Sequence, residues 1–133
     1  MSSANPASDP SASLRLLIVE DNPINQKIAS KALQRLGFHA DVCSDGQEAV
    51  AAVKNQRYAL ILMDCMMPTM DGYEATRAIR ALEEGSEHVP IVAFTADRTQ
   101  DCKARCMAAG MDDYLTKPLD MQILASALER WVR

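Results

Sequence analysis

Two apolar runs in the sequence end abruptly on acidic residues. Residues 16–19 (Leu-Leu-Ile-Val) are followed by Glu20 and Asp21, and residues 60–63 (Leu-Ile-Leu-Met) are followed by Asp64. Short, continuous apolar runs are typical of parallel strands that are buried on both faces. Because open α/β sheets bind ligands beyond the carboxyl ends of such strands, the pattern predicts one acidic pocket at the edge of a sheet.

The rest of the chain alternates between strand-like and helix-like segments. Strands are predicted at 14–20, 39–43, 59–64, 91–95 and 113–116, and helices at 23–36, 46–55, 72–84, 101–109 and 121–132. Strands separated by helices pair in parallel through right-handed crossovers. We therefore expect a (βα)5 flavodoxin-like, doubly wound α/β fold, whose common strand order is 2-1-3-4-5. That order would place Glu20, Asp21 and Asp64 side by side.

Local signals support the predicted helices. Asn22 before Pro23 is a typical helix start, Gly37 a typical stop, and Ser44 with Gln47 suggests a capping box. Apolar residues at helical spacing predict one buried stripe on each of two later helices, with Ala75, Ala78, Ile79 and Leu82 on the first and Leu124, Ala127, Leu128 and Trp131 on the second.

Length and composition favour one folded domain. The chain has 133 residues, 48% of them hydrophobic, which suits a single core. Residues 1–13, rich in Ser, Ala, Pro and Asn, are predicted to be a flexible linker or tail, and residues 14–133 the folded domain. The net charge of −4, without a basic block, argues against direct binding of nucleic acid. No apolar stretch reaches the length of about 18 residues that membrane insertion needs, and no signal segment is evident, so we expect a cytoplasmic domain.

The predicted acidic pocket calls for a metal ion. Three carboxylates at one edge repel each other unless protons or a hard cation are present. Mg²⁺ fits best, because it is held by one or two carboxylates at roughly 2.1 Å and shares itself with phosphate oxygens. Asp64 could then be a metal ligand or a nucleophile.

The four cysteines lack the closely spaced pairs of a zinc site. Cys43, Cys65, Cys102 and Cys106 are predicted to be free, buried thiols. Cys102 and Cys106 lie one helical turn apart, a spacing that suits a metal or a redox pair. Because only two soft ligands are visible, the small apolar role is the favoured interpretation.

Two further polar residues end the fourth and fifth predicted strands. Thr95 and Lys117 offer a hydroxyl donor and a cation, which suit the oxygens of a phosphoryl group during transfer. Each residue alone is more often explained otherwise, Thr95 as a strand former or helix cap and Lys117 as a solvated charge.

Taken together, these residues make the chain resemble the receiver domains of two-component phosphorelay proteins from residue 14 to residue 132. The resemblance is carried by Glu20-Asp21, by residues 62–72 (LMDCMMPTMDG), by residues 94–96 (FTA) and by residues 114–118 (YLTKP).

The resemblance implies a role for each site residue. Asp64 would be the phosphoacceptor that takes a phosphoryl group from a phosphohistidine. Mg²⁺ would be held by Asp21, Asp64 and the main-chain carbonyl of Met66, with Glu20 acting mainly through metal-bound water. Lys117 would pair with a phosphoryl oxygen, and its bond to Pro118 would be cis. Thr95 would hydrogen-bond another phosphoryl oxygen, and Tyr114 would swing inward behind it.

The strings at 20–26 (EDNPINQ), 71–77 (DGYEATR) and 109–115 (AGMDDYL) resemble receivers of hybrid sensor histidine kinases. The implied partners are a histidine kinase or a histidine phosphotransfer domain, and a downstream effector. A stand-alone response regulator is the alternative. An aspartyl-nucleophile phosphatase is a weaker alternative, because it needs an acid two residues after the nucleophile, where this chain has Met66.

Overall fold

The computed structural model describes residues 15–132. The predicted linker at 1–13 lies outside the described residues. The described chain alternates five strands with five helices: β1 (Arg15–Val19), α1 (Pro23–Arg35), β2 (His39–Cys43), α2 (Gly46–Asn55), β3 (Leu60–Met63), α3 (Gly72–Leu82), β4 (Ile91–Thr95), α4 (Gln100–Ala109), β5 (Asp113–Thr116) and α5 (Met121–Trp131).

The strands form one parallel sheet in the order β2-β1-β3-β4-β5. The predicted fold and strand order are confirmed. In the central pair, Val19 of β1 lies opposite Met63 of β3. The acidic residues that follow these two strands therefore leave the sheet at the same edge.

Two hydrophobic layers cover the sheet. On one face, Leu16, Ile18, Leu60 and Leu62 pack against α1 and α5. On the other face, the alternate strand residues pack against α2, α3 and α4, as Ile61 and Met63 do. Because both faces are covered, the inner strands are apolar along their whole length, which explains the continuous runs in the sequence.

Side-chain caps begin the helices. The Asn22 side chain accepts hydrogen bonds from two backbone N–H groups of α1, as predicted. The predicted capping box of α2 is wrong by one residue: Asp45, not Ser44, is the N-cap and accepts from the Glu48 N–H. Glu48 in turn accepts from the Ser44 N–H at 2.8 Å. Asp45 thus takes the N-cap position that sequence spacing assigned to Ser44, and Asp and Ser are both strong N-cap residues.

Helix α3 ends at Leu82, two residues before its predicted end. Glu83 leaves the helix because its carboxylate accepts from Arg80 at 2.8 Å and from the Val89 N–H at 2.6 Å. Leu82 is 42% exposed, so its predicted burial is wrong, whereas Tyr73 and Thr76 are buried. Within residues 15–132, no helix combines the length and apolar character that crossing a membrane requires.

Candidate functional site

The three predicted acids meet at the carboxyl edge of the sheet. Glu20, Asp21 and Asp64 each place a carboxylate oxygen within 4.8 Å of the others. The Asp64 N–H donates to the Val19 carbonyl at 2.9 Å, so the chain stays hydrogen-bonded to β1 one residue beyond the end of β3. Glu20 and Asp64 are buried, and Asp21 is exposed. This cluster confirms the predicted acidic pocket.

Lys117 directly follows β5 and reaches the three acids along the same carboxyl edge of the sheet. Its Nζ atom lies 2.6 Å from Glu20 Oε1 and 3.5 Å from Asp64 Oδ2. The Lys117 N–H donates to the Thr95 carbonyl at 2.8 Å, which ties the ends of β4 and β5 together. The bond from Lys117 to Pro118 is cis, as the resemblance implied. The ammonium therefore compensates part of the buried negative charge, mainly that of Glu20.

The Asp64 carboxyl is electrostatically perturbed. Its pKa is raised to about 6, first by burial and then by the nearby Glu20 charge, and Lys117 and the Met66 N–H partly offset this rise. That N–H donates to Asp64 Oδ1 at 3.2 Å. The raised pKa has the two causes expected for a carboxylate that shares a pocket with another acid.

Thr95 and Tyr114 lie on the same side of the pocket. Thr95 is buried, and its Oγ1 accepts from the Asp97 N–H at 3.2 Å. The half-buried Tyr114 donates its hydroxyl proton to the Asp97 carbonyl. Both side chains therefore contact the segment between β4 and α4. Within residues 15–132, neither makes a hydrogen bond to Asp64.

Two supporting residues were not predicted from the sequence. Gln26 donates from Nε2 to the Glu20 carbonyl at 2.6 Å, and so fixes the turn that carries the acidic pair. A Cβ atom on Gly72 would lie 2.3 Å from the Asp64 carbonyl oxygen, so only glycine allows α3 to start this close to Asp64. The contact of Gln26 with Glu20 has a weak sequence signal, because Gln26 lies one turn into a helix that follows two acids. The close approach of Gly72 to Asp64 has no local sequence signal.

The donors at this edge fit a small, hard divalent cation. Three carboxylates supply oxygen ligands, which Mg²⁺ prefers over nitrogen or sulfur. Two of these acids are buried beside one lysine, so the pocket retains excess negative charge for a cation to offset. The exposed side of the pocket, at Asp21, leaves room for water or phosphate oxygens.

The sequence matches a known family along most of its length. The family model of the response regulator receiver domain covers residues 16–129. The chain belongs to this family. Among curated relatives of the receiver domain, hybrid signal transduction histidine kinase B of Dictyostelium discoideum is 48% identical over an alignment of 115 positions, and the match covers 79% of the chain and 6% of that kinase. Histidine kinase 1 of Arabidopsis thaliana is 37% identical over an alignment of 149 positions, and the match covers 86% of the chain and 12% of that kinase. The receiver domain thus spans a small fraction of these relatives.

Solved receiver structures agree with this assignment. The receiver domain of sensor histidine kinase PA1611 from Pseudomonas aeruginosa, with a magnesium ion coordinated in the active-site cleft, has a TM-score of 0.83 and 45% identity, and covers 90% of this chain and 98% of that one. The receiver domain of Saccharomyces cerevisiae Ssk1, crystallised with the histidine phosphotransfer protein Ypd1, has a TM-score of 0.83 and 36% identity over 90% of this chain and 89% of that one.

Proposed function

We propose that this receiver domain accepts a phosphoryl group on Asp64 from a phosphohistidine. One observation carries the proposal: the buried Asp64 carboxylate lies among Glu20, Asp21 and Lys117 at a single sheet edge. An acid that faces both a cation and a carboxylate pair suits acyl phosphate formation, because the site can compensate the charge of the phosphoryl oxygens.

Asp64 and Lys117 have different roles in the proposed phosphoryl transfer. With a pKa of about 6, Asp64 is largely ionised at neutral pH and so available as a nucleophile. One carboxylate oxygen forms the new bond to phosphorus while the phosphorus–nitrogen bond breaks and the imidazole leaves. Lys117 moves from Glu20 toward a phosphoryl oxygen, a short movement because its Nζ atom is already 3.5 Å from Asp64.

Mg²⁺ is the proposed cofactor. Asp21, Asp64 and the main-chain carbonyl of Met66 would hold it, with Glu20 contributing mainly through water. When bound, the ion offsets repulsion between the carboxylates and the phosphoryl oxygens. The three clustered carboxylates and the magnesium ion in the PA1611 receiver support this assignment.

Thr95 and Tyr114 are the proposed switch. A phosphoryl group on Asp64 adds strong acceptor oxygens at the end of β3. Thr95 would turn its hydroxyl to one of them and release the Asp97 N–H that it now binds at 3.2 Å. Tyr114, which holds the Asp97 carbonyl, would move inward with this segment and alter the surface offered to a downstream effector.

A histidine phosphotransfer domain, or the corresponding domain of a histidine kinase, is the proposed partner. Ile24 is 70% exposed and Ile28 47% exposed, and both lie on the first turns of α1, directly after the acidic pair. An exposed apolar pair beside the acceptor suits docking of a helical phosphodonor. The complex of the Ssk1 receiver with Ypd1 supports this partner class, and the kinase relatives support an origin in a hybrid kinase.

Phosphotransfer kinetics test the proposal. A radiolabelled histidine phosphotransfer protein should pass its label to the wild-type domain in Mg²⁺ and not in a chelator. Ile24→Ala should slow transfer about tenfold, because truncating one of the few anchor residues of a docking surface costs more than about 1 kcal/mol and tenfold corresponds to about 1.4 kcal/mol. Ile123→Ala is the matched control, since Ile123 is 54% exposed on α5, and it should leave the rate unchanged.

Undiminished transfer to an Asp64→Asn variant would refute the acceptor assignment. Equal slowing by Ile24→Ala and Ile123→Ala would refute the docking surface alone, because it would show no preference for the face beside the pocket.

A further inference from the structure

Three thiols form a buried cluster on the face of the sheet opposite α1 and α5. Cys65 directly follows Asp64, and Cys102 and Cys106 lie on the buried side of α4. Their exposed fractions are 0%, 3% and 0%. The Sγ atoms of all three lie within 4.8 Å of one another, and those of Cys65 and Cys106 are 3.3 Å apart.

We propose that Cys65 and Cys106 are an oxidisable pair that forms a disulfide between the acceptor loop and α4. The bond length in a disulfide is about 2.04 Å, so the two sulfurs need to approach by roughly 1.3 Å. A small displacement of one helix, or a rotation of both side chains, supplies such an approach. The two residues are 41 positions apart, so the bond would link the loop after β3 to α4 covalently.

The third thiol is engaged elsewhere. Cys102 Sγ lies 3.3 Å from the Tyr73 hydroxyl, a contact within the range of a sulfur hydrogen bond. This contact leaves Cys65 and Cys106 as the pair in direct contact. It also distinguishes them from the pair Cys102 and Cys106, which share one helical turn and were the candidates suggested by spacing alone.

A soft-metal site is the less favoured use of the cluster. Structural zinc sites take four ligands, and within the described residues neither a histidine nor a carboxylate completes this set of three sulfurs. Three thiolates with one divalent ion would also carry a net negative charge in an apolar pocket, which costs free energy. A disulfide is neutral, so it suits the hydrophobic surroundings of Cys65 and Cys106.

The oxidation balances with a peroxide as the oxidant. One sulfur attacks the oxygen–oxygen bond of hydrogen peroxide, which gives a sulfenic acid and one water. The second sulfur attacks that sulfenic sulfur, and the hydroxyl group leaves as a second water with the remaining thiol proton. Two thiols thus lose two electrons and two protons, and one peroxide becomes two waters.

Helix α4 controls access to these sulfurs. Its buried side consists of Cys102, Cys106 and Ala109, three small side chains, so little apolar surface holds the helix on the sheet. Elements with few buried contacts open locally at low free-energy cost. Peroxide therefore reaches the pair when α4 opens, and the new bond then holds the helix closed.

Thiol counting in the folded, full-length chain tests the pair. The chain is treated with hydrogen peroxide, then denatured with excess N-ethylmaleimide and weighed. The four free cysteines should fall to two that take the label, and digestion without reduction should yield one linked peptide pair containing Cys65 and Cys106. Dithiothreitol should restore four labels.

Single variants provide the matched comparison. Cys106→Ser removes one member of the pair, so its three remaining cysteines should all be labelled after peroxide. Cys43→Ser removes a buried thiol outside the cluster, so its three should fall to one. Hydrogen exchange of the oxidised chain should be slower in α4 than in the reduced chain and unchanged in α2.

Four labels after a peroxide dose that oxidises the denatured chain would overturn the proposal, as would a linked pair other than Cys65 with Cys106. A disulfide would also hold α4 in place and so oppose the proposed movement of the segment between β4 and α4. This effect on signalling rests on the proposed function. Disulfide formation does not require phosphorylation of Asp64, so failure of either assignment is seen separately.

Discussion

Gly72 lies so close to the backbone of Asp64 and Cys65 that no other residue fits there without displacing it. Its hypothetical Cβ atom would be 2.3 Å from the Asp64 carbonyl oxygen and 2.9 Å from Cys65 Cα. Gly72→Ala should therefore displace the loop, lower the free energy of unfolding by about 1–3 kcal/mol and slow phosphorylation of Asp64. Urea unfolding and acetyl phosphate labelling measure the two effects.

The matched control is Gly85→Ala. Gly85 has a φ of +62° and no atom within 4 Å of its Cβ position, so alanine strains the backbone without touching the pocket. This variant should lose stability but label at the wild-type rate. If both variants labelled equally slowly, the Gly72 effect would reflect general destabilisation.

Thr76 is a residue whose substitution should stabilise the fold, because its buried side-chain hydroxyl makes no hydrogen bond to the described residues. Within residues 15–132, its Oγ1 atom is buried without a hydrogen-bond partner. Thr76→Val keeps the shape and removes the unsatisfied hydroxyl, so it should raise the free energy of unfolding by about 1 kcal/mol. Thr95→Val should not, because Thr95 Oγ1 accepts from the Asp97 N–H. Urea denaturation followed by circular dichroism compares the two variants, and destabilisation by Thr76→Val would contradict the account.

At the scale of elements, a group of three polar side chains links the edge strand β2 to its neighbour β1 and to the segment before β3. The Arg15 guanidinium of β1 pairs with Asp41 of β2, and the Tyr58 hydroxyl donates to Asp41 Oδ2 at 2.7 Å. The hydrogen bond from Arg15, followed by that from Tyr58, lowers the pKa of Asp41 below its ordinary value of 3.8. A carboxyl whose pKa is lower in the folded state stabilises the fold above its unfolded pKa, and this stabilisation is lost as the pH falls through the folded pKa.

Asp41→Asn should therefore be less stable than the wild type at pH 7 by about 0.5–1 kcal/mol, a modest value because the pair is partly exposed. The difference should shrink toward zero as the pH falls below 3.8. Denaturant unfolding at several pH values measures it. Glu129→Gln, at an exposed position of α5, should show a change below about 0.5 kcal/mol throughout. An Asp41→Asn deficit that persisted unchanged at low pH would contradict the ion-pair explanation.

The proposed switch also belongs to the scale of elements, because it involves β4, α4 and β5. Beryllofluoride, which mimics the acyl phosphate, should change the amide spectra of residues 96–110 and of Tyr114 more than those of α2. Thr95→Ala should bind it but show smaller changes in this region, because it lacks the hydroxyl that is proposed to draw the segment inward. Thr116→Ala is the control, since Thr116 pairs with Thr95 across the two strands but precedes Lys117. Equal spectral changes in all three proteins would identify Thr95 as a structural strand residue.

The elements were predictable because each carries its own local signal. Apolar runs marked the central strands, and Asn22 with Pro23 marked the start of α1. The ends of helices were less predictable where contacts with residues distant in the sequence determine them. Helix α3 stops at Leu82 because Arg80 and Val89 bind the Glu83 carboxylate, contacts that no local pattern reveals. The cap of α2 was misplaced because Ser44 and Asp45 are both good capping residues and only the backbone direction selects one.

At the scale of the molecule, the site depends on strand order. Glu20, Asp64 and Lys117 converge because β1 lies beside β3 and β5 follows β4 on the same side. The residue types were evident from the sequence, and their convergence followed from the common order of such sheets and from the family resemblance. The preference of Lys117 for Glu20 over Asp64 was not predictable, because 97 positions separate the two partners. The contact of Cys65 with Cys106 was also not predictable, because it depends on how α4 packs on the sheet and the two residues are 41 positions apart.

Chemical mapping of the phosphorylated residue tests the central claim most directly. The domain is incubated with acetyl phosphate and Mg²⁺, reduced with borohydride, which converts an aspartyl phosphate to homoserine, and digested for peptide sequencing by mass spectrometry. We predict homoserine in place of Asp64 alone, and none after incubation in a chelator or in the Asp64→Asn variant. Homoserine in place of Asp21 or any other aspartate, or an unmodified Asp64 in protein that has gained about 80 Da of phosphoryl mass, would contradict the account.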